Sequence, residues 1–451
     1  MADGSFTPFL FGNAVHLQTK SHVVQHRHPR EEAVVLEDLD PERIAPGVVL
    51  HPGTTLRGRR TLLGPGSELG LAGGGCFHDI GCGRAVQLWG GHHQDAVYLD
   101  GVRLRGQAEV RAGTVLEEGC QGGQHVGFKM TVFLANTVAG SLVNFCDAIV
   151  AGGPSAAAHS EIGSCTALYN FSLQGDKWAS IFGDPVAGLI GRSAPVFIGG
   201  QSQVVSPVRI GPGTAIAAGA AVRRDVPGGR LYAEAGPVFD QPLDAVLYGP
   251  LDRKVAVTKA VIASLDAIAH WYDAVRGPWA AAAENAWEPE LCRMAARQLR
   301  AGIAERIQRL ERLVGRLPAS IDGHRRQLEL ADGGDRRDWH QACLDEQLRL
   351  MADWSSLRRG FPEPGPGPSR PNAVVAPSAA PGRDIGAQAA DRPLDRLAAS
   401  LVQLRRQGRT ESFQQAVATV DAELLDEVAA ALAAGVRSLS LIHISEPTRP
   451  Y

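Results

Sequence analysis

Aliphatic residues recur every six positions along much of the first half of this chain. Ile198, Val204, Ile210, Ile216 and Val222 make successive steps of six, and Val126, Val132, Val138, Asn144, Val150, Ala156, Ile162 and Leu168 hold the same step in the same register upstream. Leu50 with Leu56, and Leu104, Val110 and Leu116, form shorter runs. A strand alternates every two residues and a helix repeats every 3.6, so neither explains this spacing. A period of six fits a parallel β-helix in which each hexad supplies one short strand and one turn. The aliphatic residue then points inward, and coils stack about 4.8 Å apart through backbone hydrogen bonds. The 52 glycines and the 6% aromatic content suit a structure of many sharp corners.

The pattern divides the chain. A cap segment is expected at 1–46 and the β-helix over 47–235, with excursions at 71–100, at 172–197 and after Val226. From about Asp252 apolar residues fall three and four apart, and Ile303, Ile307, Leu310, Val314 and Leu317 form a short heptad seam. This predicts an α-helical domain over 236–360. The Pro/Gly-rich stretch 361–392 reads as a linker, and 393–438 as a small helical segment. The fold class expected is mainly β, a β-helix followed by an α-helical extension.

Composition excludes several classes. With 45 basic and 48 acidic residues there is no electrostatic case for nucleic acid or an anionic membrane as partner. The start lacks a signal-peptide pattern, and no stretch approaches the roughly 18 apolar residues of a spanning helix. Seven scattered cysteines read as reduced thiols in a cytoplasmic protein. Cys76, His78 and Cys82, with His92 and His93 beyond, match no common zinc spacing and read as corner and loop residues. His22, His26 and His28 read as part of the cap, so no metal is expected. Nucleophile-elbow, Walker and dinucleotide motifs are lacking.

The blocks VRAGTVLEEG (110–119), QHVGFKM (124–130), VAGSLVNFCD (138–147), EIGSCTALYNF (161–171) and PVFIGGQSQVVSPVRIGPGTAIAAGAAVRRDV (195–226) carry a family resemblance. Together they resemble the acetyltransferase half of the bacterial bifunctional enzymes that acetylate glucosamine 1-phosphate and then uridylylate it. The resemblance implies a left-handed prism of three hexads per coil and a homotrimer. It also implies acetyl-CoA or another acyl-CoA as co-substrate, and a sugar phosphate or nucleotide sugar as ligand. The uridylyltransferase half is not expected here, since fewer than fifty residues precede the repeats and none form its Gly-rich loop. At the other end, Leu439–Arg449 resembles a translated sequencing adapter, so 439–451 is expected to be a non-native tail.

By the same resemblance, Arg111 and Lys129, eighteen residues apart, contact the sugar phosphate, as charge-assisted bonds to phosphate are strong and directional. Asn170 lies near the acetyl group and Lys177 in the loop beyond, while Gly200 and Ala218 line the CoA arm. The family's histidine base is Ser141 here, and its nearby tyrosine is Asn144. A lone serine hydroxyl is no base at neutral pH. His159 lies eighteen residues after Ser141 and is expected to stack beside it as a replacement base, with Glu161 as orienter. One extra hexad between Val150 and Ile162 is expected to rotate the later coils. The reading is an acyltransferase on an amino sugar phosphate or nucleotide sugar. Its alternative is a non-catalytic sugar-nucleotide-binding or scaffold protein.

Overall fold

The computed structural model describes residues 6–11, 14–19, 34–234, 246–283, 285–330, 334–362, 392–410 and 412–440. His22, His26 and His28, most of the 361–392 stretch and residues 441–451 lie outside them.

Short parallel strands wind into a β-solenoid with three walls. The first wall is a twelve-stranded sheet. In it Phe6–Phe11 and Ala14–Thr19 form an antiparallel hairpin laid on Val48–Leu50, and all later strands are parallel. The interior is a column of aliphatic and aromatic side chains. Ile198, Val204, Ile210, Ile216 and Val222 are all fully buried in it, as are Leu50, Leu56 and Val110.

The middle of the hexad run departs from its expected phase. Gln121 pairs with Val138 and Gly127 with Asn144, so these coils are 17 residues long rather than 18. The seven-residue strands Gly127–Phe133 and Asn144–Val150 also turn a corner inside themselves, at Met130 and Asp147, both at positive φ. As a result Val132, Val138 and Asn144 face outward, and Phe128, Phe133 and Phe145 fill the interior instead. Residues 71–100 are no excursion. They make regular coils whose lengths vary, with Glu68 opposite Gln87 and Gly75 opposite Gly91, which hides the period. The extra hexad does not rotate the prism either. It loops out around a Ser155–Ala158 bridge, and Ile162 continues the wall directly over Ala139.

Gly91 shows how tight the stacking is. It has φ of +102°, and a Cβ there would overlap the backbone of Ala108 on the next coil. Gly91→Ala should cost about 1–3 kcal/mol, read as a lower denaturant midpoint at unchanged m-value. An unchanged midpoint would mean that the coils can slide apart at no cost.

The helices are α1 (Pro185–Leu189), α2 (Asp252–Trp271), α3 (Gly277–Ala281), α4 (Trp287–Leu330), α5 (Asp335–Gly360), α6 (Pro393–Arg406), α7 (Phe413–Ala418) and α8 (Ala422–Ser440). A π-helical turn, Tyr272–Arg276, joins α2 to α3. They cover the third wall. There Ala96–Tyr98, Thr114–Leu116 and Ser180–Phe182 are buried on both faces. Val97, Val115, Val132, Ile149 and Ile181 point out of the prism into one apolar cluster with α2 and α4. Strands covered on both sides read as continuous apolar runs, so alternation is lost there. The seam residues Ile303, Ile307, Leu310 and Leu317 are buried in this same cluster.

Candidate functional site

The second wall, formed by Ala108–Val110 and the first halves of Gly127–Phe133 and Asn144–Val150 among other strands, carries Arg111, Lys129 and Asn144. Val110 pairs with Phe128, and Lys129 with Cys146, so Arg111, Lys129 and Cys146 project outward from successive coils. Coil spacing sets them about 4.8 Å apart along the backbone. The Arg111 guanidinium has only a loose contact, 3.9 Å, with Glu109. Burial, together with Asp147 next to it, pushes the Cys146 thiol up against the opposing pull of Arg111, Lys129 and Lys177. Cys146 is therefore a neutral thiol at pH 7, and the cations around it are not spent on a thiolate.

A corner column borders this wall. Ala139 pairs with Ile162, Ile162 with Ile198, and Ile198 with Ile216. Two residues further on, Ser141, Ser164, Gly200 and Ala218 therefore stack one above another. Backbone bonds Cys165 N–H to Ser141 O (2.9 Å), Gln201 N–H to Ser164 O (2.8 Å) and Gly219 N–H to Gly200 O (2.9 Å) hold them. Ser141 Oγ accepts from the Gln124 N–H at 3.2 Å. Asn144 is exposed on the wall between this column and Cys146.

His159 does not stack on Ser141. Because the loop adds six residues to a 17-residue coil, Ser164 takes that place, and His159 lies over Asn136 at the far end of the first wall. Five extended residues separate His159 from Ser164, roughly 16 Å. Its Nδ1 lies 2.9 Å from Ala156 O, and Glu161 is 3.5 Å from its Nε2. The histidine that register does bring to the column is His125. It is exposed, at φ +56°, one coil below Leu142, whose N–H donates to Gln124 O. Its place could be found from the sequence only by knowing that this coil has 17 residues.

Asn170 is committed elsewhere: its Nδ2 donates to Asp147 Oδ2 at 2.6 Å. Asp147 is 2% exposed and also takes Arg309 (2.8 Å) and Arg306 (3.3 Å) of α4. Burial lowers Arg306 to about 10, with Asp147 opposing that fall. This cluster pins α4 beside the second wall. Lys177 follows in a tight loop where Phe171 and Lys177 bridge. It lines a cleft of about 120 Å³ with Gly175, Asp176, Glu305, Arg309, Arg312 and Arg316. Nothing in the sequence marks the α4 residues, which lie more than a hundred positions from the wall they border.

Cys82 points into the solenoid core and Cys76 does not, and His93 is fully buried. Among the described residues no three metal-ligating side chains gather. No described helix is long and apolar enough to cross a membrane.

No family model matches the chain. Among curated proteins it is 28% identical over 223 residues to the bifunctional protein GlmU of Streptococcus agalactiae serotype V, covering 47% of this chain and 44% of that one. It is 29% identical over 205 residues to the same-named protein of Pelobacter propionicus (44% and 41%), and over 190 residues to that of Acidithiobacillus ferrooxidans (42% and 36%). The chain thus spans less than half the length of these relatives. The similarity to GlmU and the parallel solenoid agree with a hexapeptide-repeat β-helix.

Proposed function

We propose that the second wall is an acyl-transfer site. It takes an amino sugar carrying a phosphate or nucleotide, and acetyl-CoA or another acyl-CoA as donor. The observation that carries this reading is that the small-residue corner Ser141–Ser164–Gly200–Ala218 borders the wall from which Arg111 and Lys129 project. Arg111 and Lys129 hold the phosphoryl group by charge-assisted hydrogen bonds. The corner has no bulky side chain at Gly200 or Ala218, so a pantetheine arm lies close to backbone. Lys177 closes the phosphate end, and Asn144 faces the sugar. Asn170 acts by holding Asp147 rather than by touching substrate. His125 is the imidazole that takes the amine proton as the amine attacks the thioester carbonyl, and it returns that proton to the departing thiolate, so that the C–S bond breaks and CoA leaves as the thiol. Trimeric assembly, which the family resemblance implies, belongs to the same proposal.

The test is CoA-thiol release from acetyl-CoA with a panel of amino-sugar phosphates. His125→Ala should lower kcat by about 10²-fold with KM nearly unchanged, and His159→Ala should change neither. Lys129→Ala should raise KM for the sugar about tenfold. Turnover lost in His159→Ala but kept in His125→Ala would reverse the assignment. A second reading, binding without transfer, is favoured because no histidine among the described residues stacks directly on Ser141. Saturable binding of the sugar phosphate with no thiol released would establish it.

A further inference from the structure

The helical extension shares a cleft with the prism, and its charge is unbalanced. The cleft is lined by Lys177 from the solenoid loop and by Arg309, Arg312 and Arg316 from α4. Against these stand two carboxylates, both already engaged: Asp176 pairs with Arg316, and Glu305 with Arg309 at 2.9 Å. Arg309 also serves the buried Asp147. Lys177 and Arg312 are left facing the cleft with no carboxylate partner among the described residues. Lys129 stands near enough on the wall to help hold Glu305 ionised: burial raises that carboxyl, and Arg309, Arg312 and Lys129 together bring it below the usual range.

Like charges converging on one concavity repel each other, and the low-dielectric walls on both sides strengthen that repulsion. An anion entering between them relieves it. The space, about 120 Å³, holds several waters at the roughly 10–15 Å³ each requires, and so admits a phosphoryl group. The rigid placing of α4 supports this. Asp147, 2% exposed, fixes Arg306 and Arg309, so Arg312, one turn on, is held at the cleft that Lys177 also lines.

We infer that Lys177 of the solenoid loop and Arg312 of α4 form a phosphoryl-binding site, so that the helical extension is part of the ligand-binding unit. The site shares Lys177 with the acyl-transfer reading but stands on Arg312, outside the segment 110–226 that carries the family resemblance. Its ligand is a small molecule with a terminal or bridging phosphoryl group. A sugar phosphate and the 3′-phosphate or diphosphate of CoA share this chemistry.

The experiment is calorimetric titration of the full chain at low ionic strength with inorganic phosphate, glucosamine 1-phosphate, CoA and dephospho-CoA. At least one phosphorylated probe should bind. Arg312→Gln and Lys177→Gln should each weaken it about tenfold or more, while Arg312→Lys should restore most of the affinity. Loss between CoA and dephospho-CoA would assign the site to the CoA 3′-phosphate, whereas preference for the sugar phosphate would assign it to the acceptor. Unfolding of Arg312→Gln without ligand should be unchanged or shifted up, and the phosphate-induced rise in Tm should vanish. Equal affinity in wild type, Arg312→Gln and Lys177→Gln would overturn the inference, as would no binding of any probe. Binding is measured without turnover, so absent acyl transfer leaves this result independent.

Discussion

Replacing Arg276 by methionine should cost about 3–5 kcal/mol of unfolding free energy, the largest loss expected from any single change between the prism and its helices. Arg276 is 4% exposed and bonds both oxygens of Glu118, at 2.6 and 2.7 Å. Glu117 lies 3.8 Å away, 2% exposed, with one oxygen accepting from the Tyr272 hydroxyl at 2.9 Å and the other from the Ala135 N–H. The guanidinium also lies 4.2 Å from the centre of the Phe413 ring. Methionine retains apolar contact but leaves two adjoining carboxylates without their cation.

Burial already raises Glu117 above its ordinary value, and Arg276 is the main group opposing that rise. Without Arg276, Glu117 must fold protonated. The deficit of the variant should therefore shrink as pH falls from 7 toward 5, because acid supplies the neutral form that folding then requires. Adding Glu118→Gln to the variant should recover part of the loss. Equilibrium urea unfolding at several pH values measures all three. A single variant within 1 kcal/mol of wild type would show that solvent reaches this cluster.

The second large effect is acid loss of stability through His93. This side chain is fully buried, stacked 4.9 Å from Phe77, with Nε2 3.1 Å from Gly90 O and Nδ1 2.7 Å from the Tyr98 hydroxyl. A carbonyl accepts only, so Nε2 carries the proton, and Nδ1 accepts from the tyrosine. Both nitrogens are thus satisfied in the neutral ring, and burial lowers His93 to about 4. In the unfolded chain it titrates near 6.5, so between pH 6.5 and 4 the unfolded state binds the extra proton. Stability is present in full above 6.5 and falls by on the order of 3 kcal/mol as pH drops through that window.

Asp100 works in the opposite direction. Burial raises it to about 6, so stability is gained as pH falls below that value. The two slopes partly cancel in the wild-type curve. His93→Gln keeps a donor and an acceptor in place but cannot titrate, so the difference between the two unfolding curves isolates the histidine. Wild type should lose that margin relative to the variant on acidification. Parallel curves from pH 7 to 4.5 would sink this account.

His93 also marks the limit of what is legible in the residue order. In the sequence His92 and His93 sit in a stretch with the look of a broken repeat, and nothing distinguishes an inward from an outward ring. The coils there are regular but vary in length, so no fixed period marks which residue points in. The same cause misplaced His159. Eighteen residues return to the same point only where every corner has its usual length. Arg111 and Lys129 meet that condition, since Val110 pairs with Phe128. Ser141 and His159 do not, because of the loop around Ser155 and Ala158.

What the chain's order of residues determined alone is the repeating architecture. A buried aliphatic at every sixth position, with small residues between, can satisfy backbone and core together only as stacked short strands, and the helical periodicity after Asp252 is equally local. The tertiary structure alone decided which side chains became neighbours. It brought His125 to the Ser141 corner, set Arg312 and Lys177 along one cleft and buried Arg276 on Glu117 and Glu118. Those pairings depend on cumulative coil length and on docking across more than a hundred residues, and a pattern confined to one hexad or one helical turn carries no record of either.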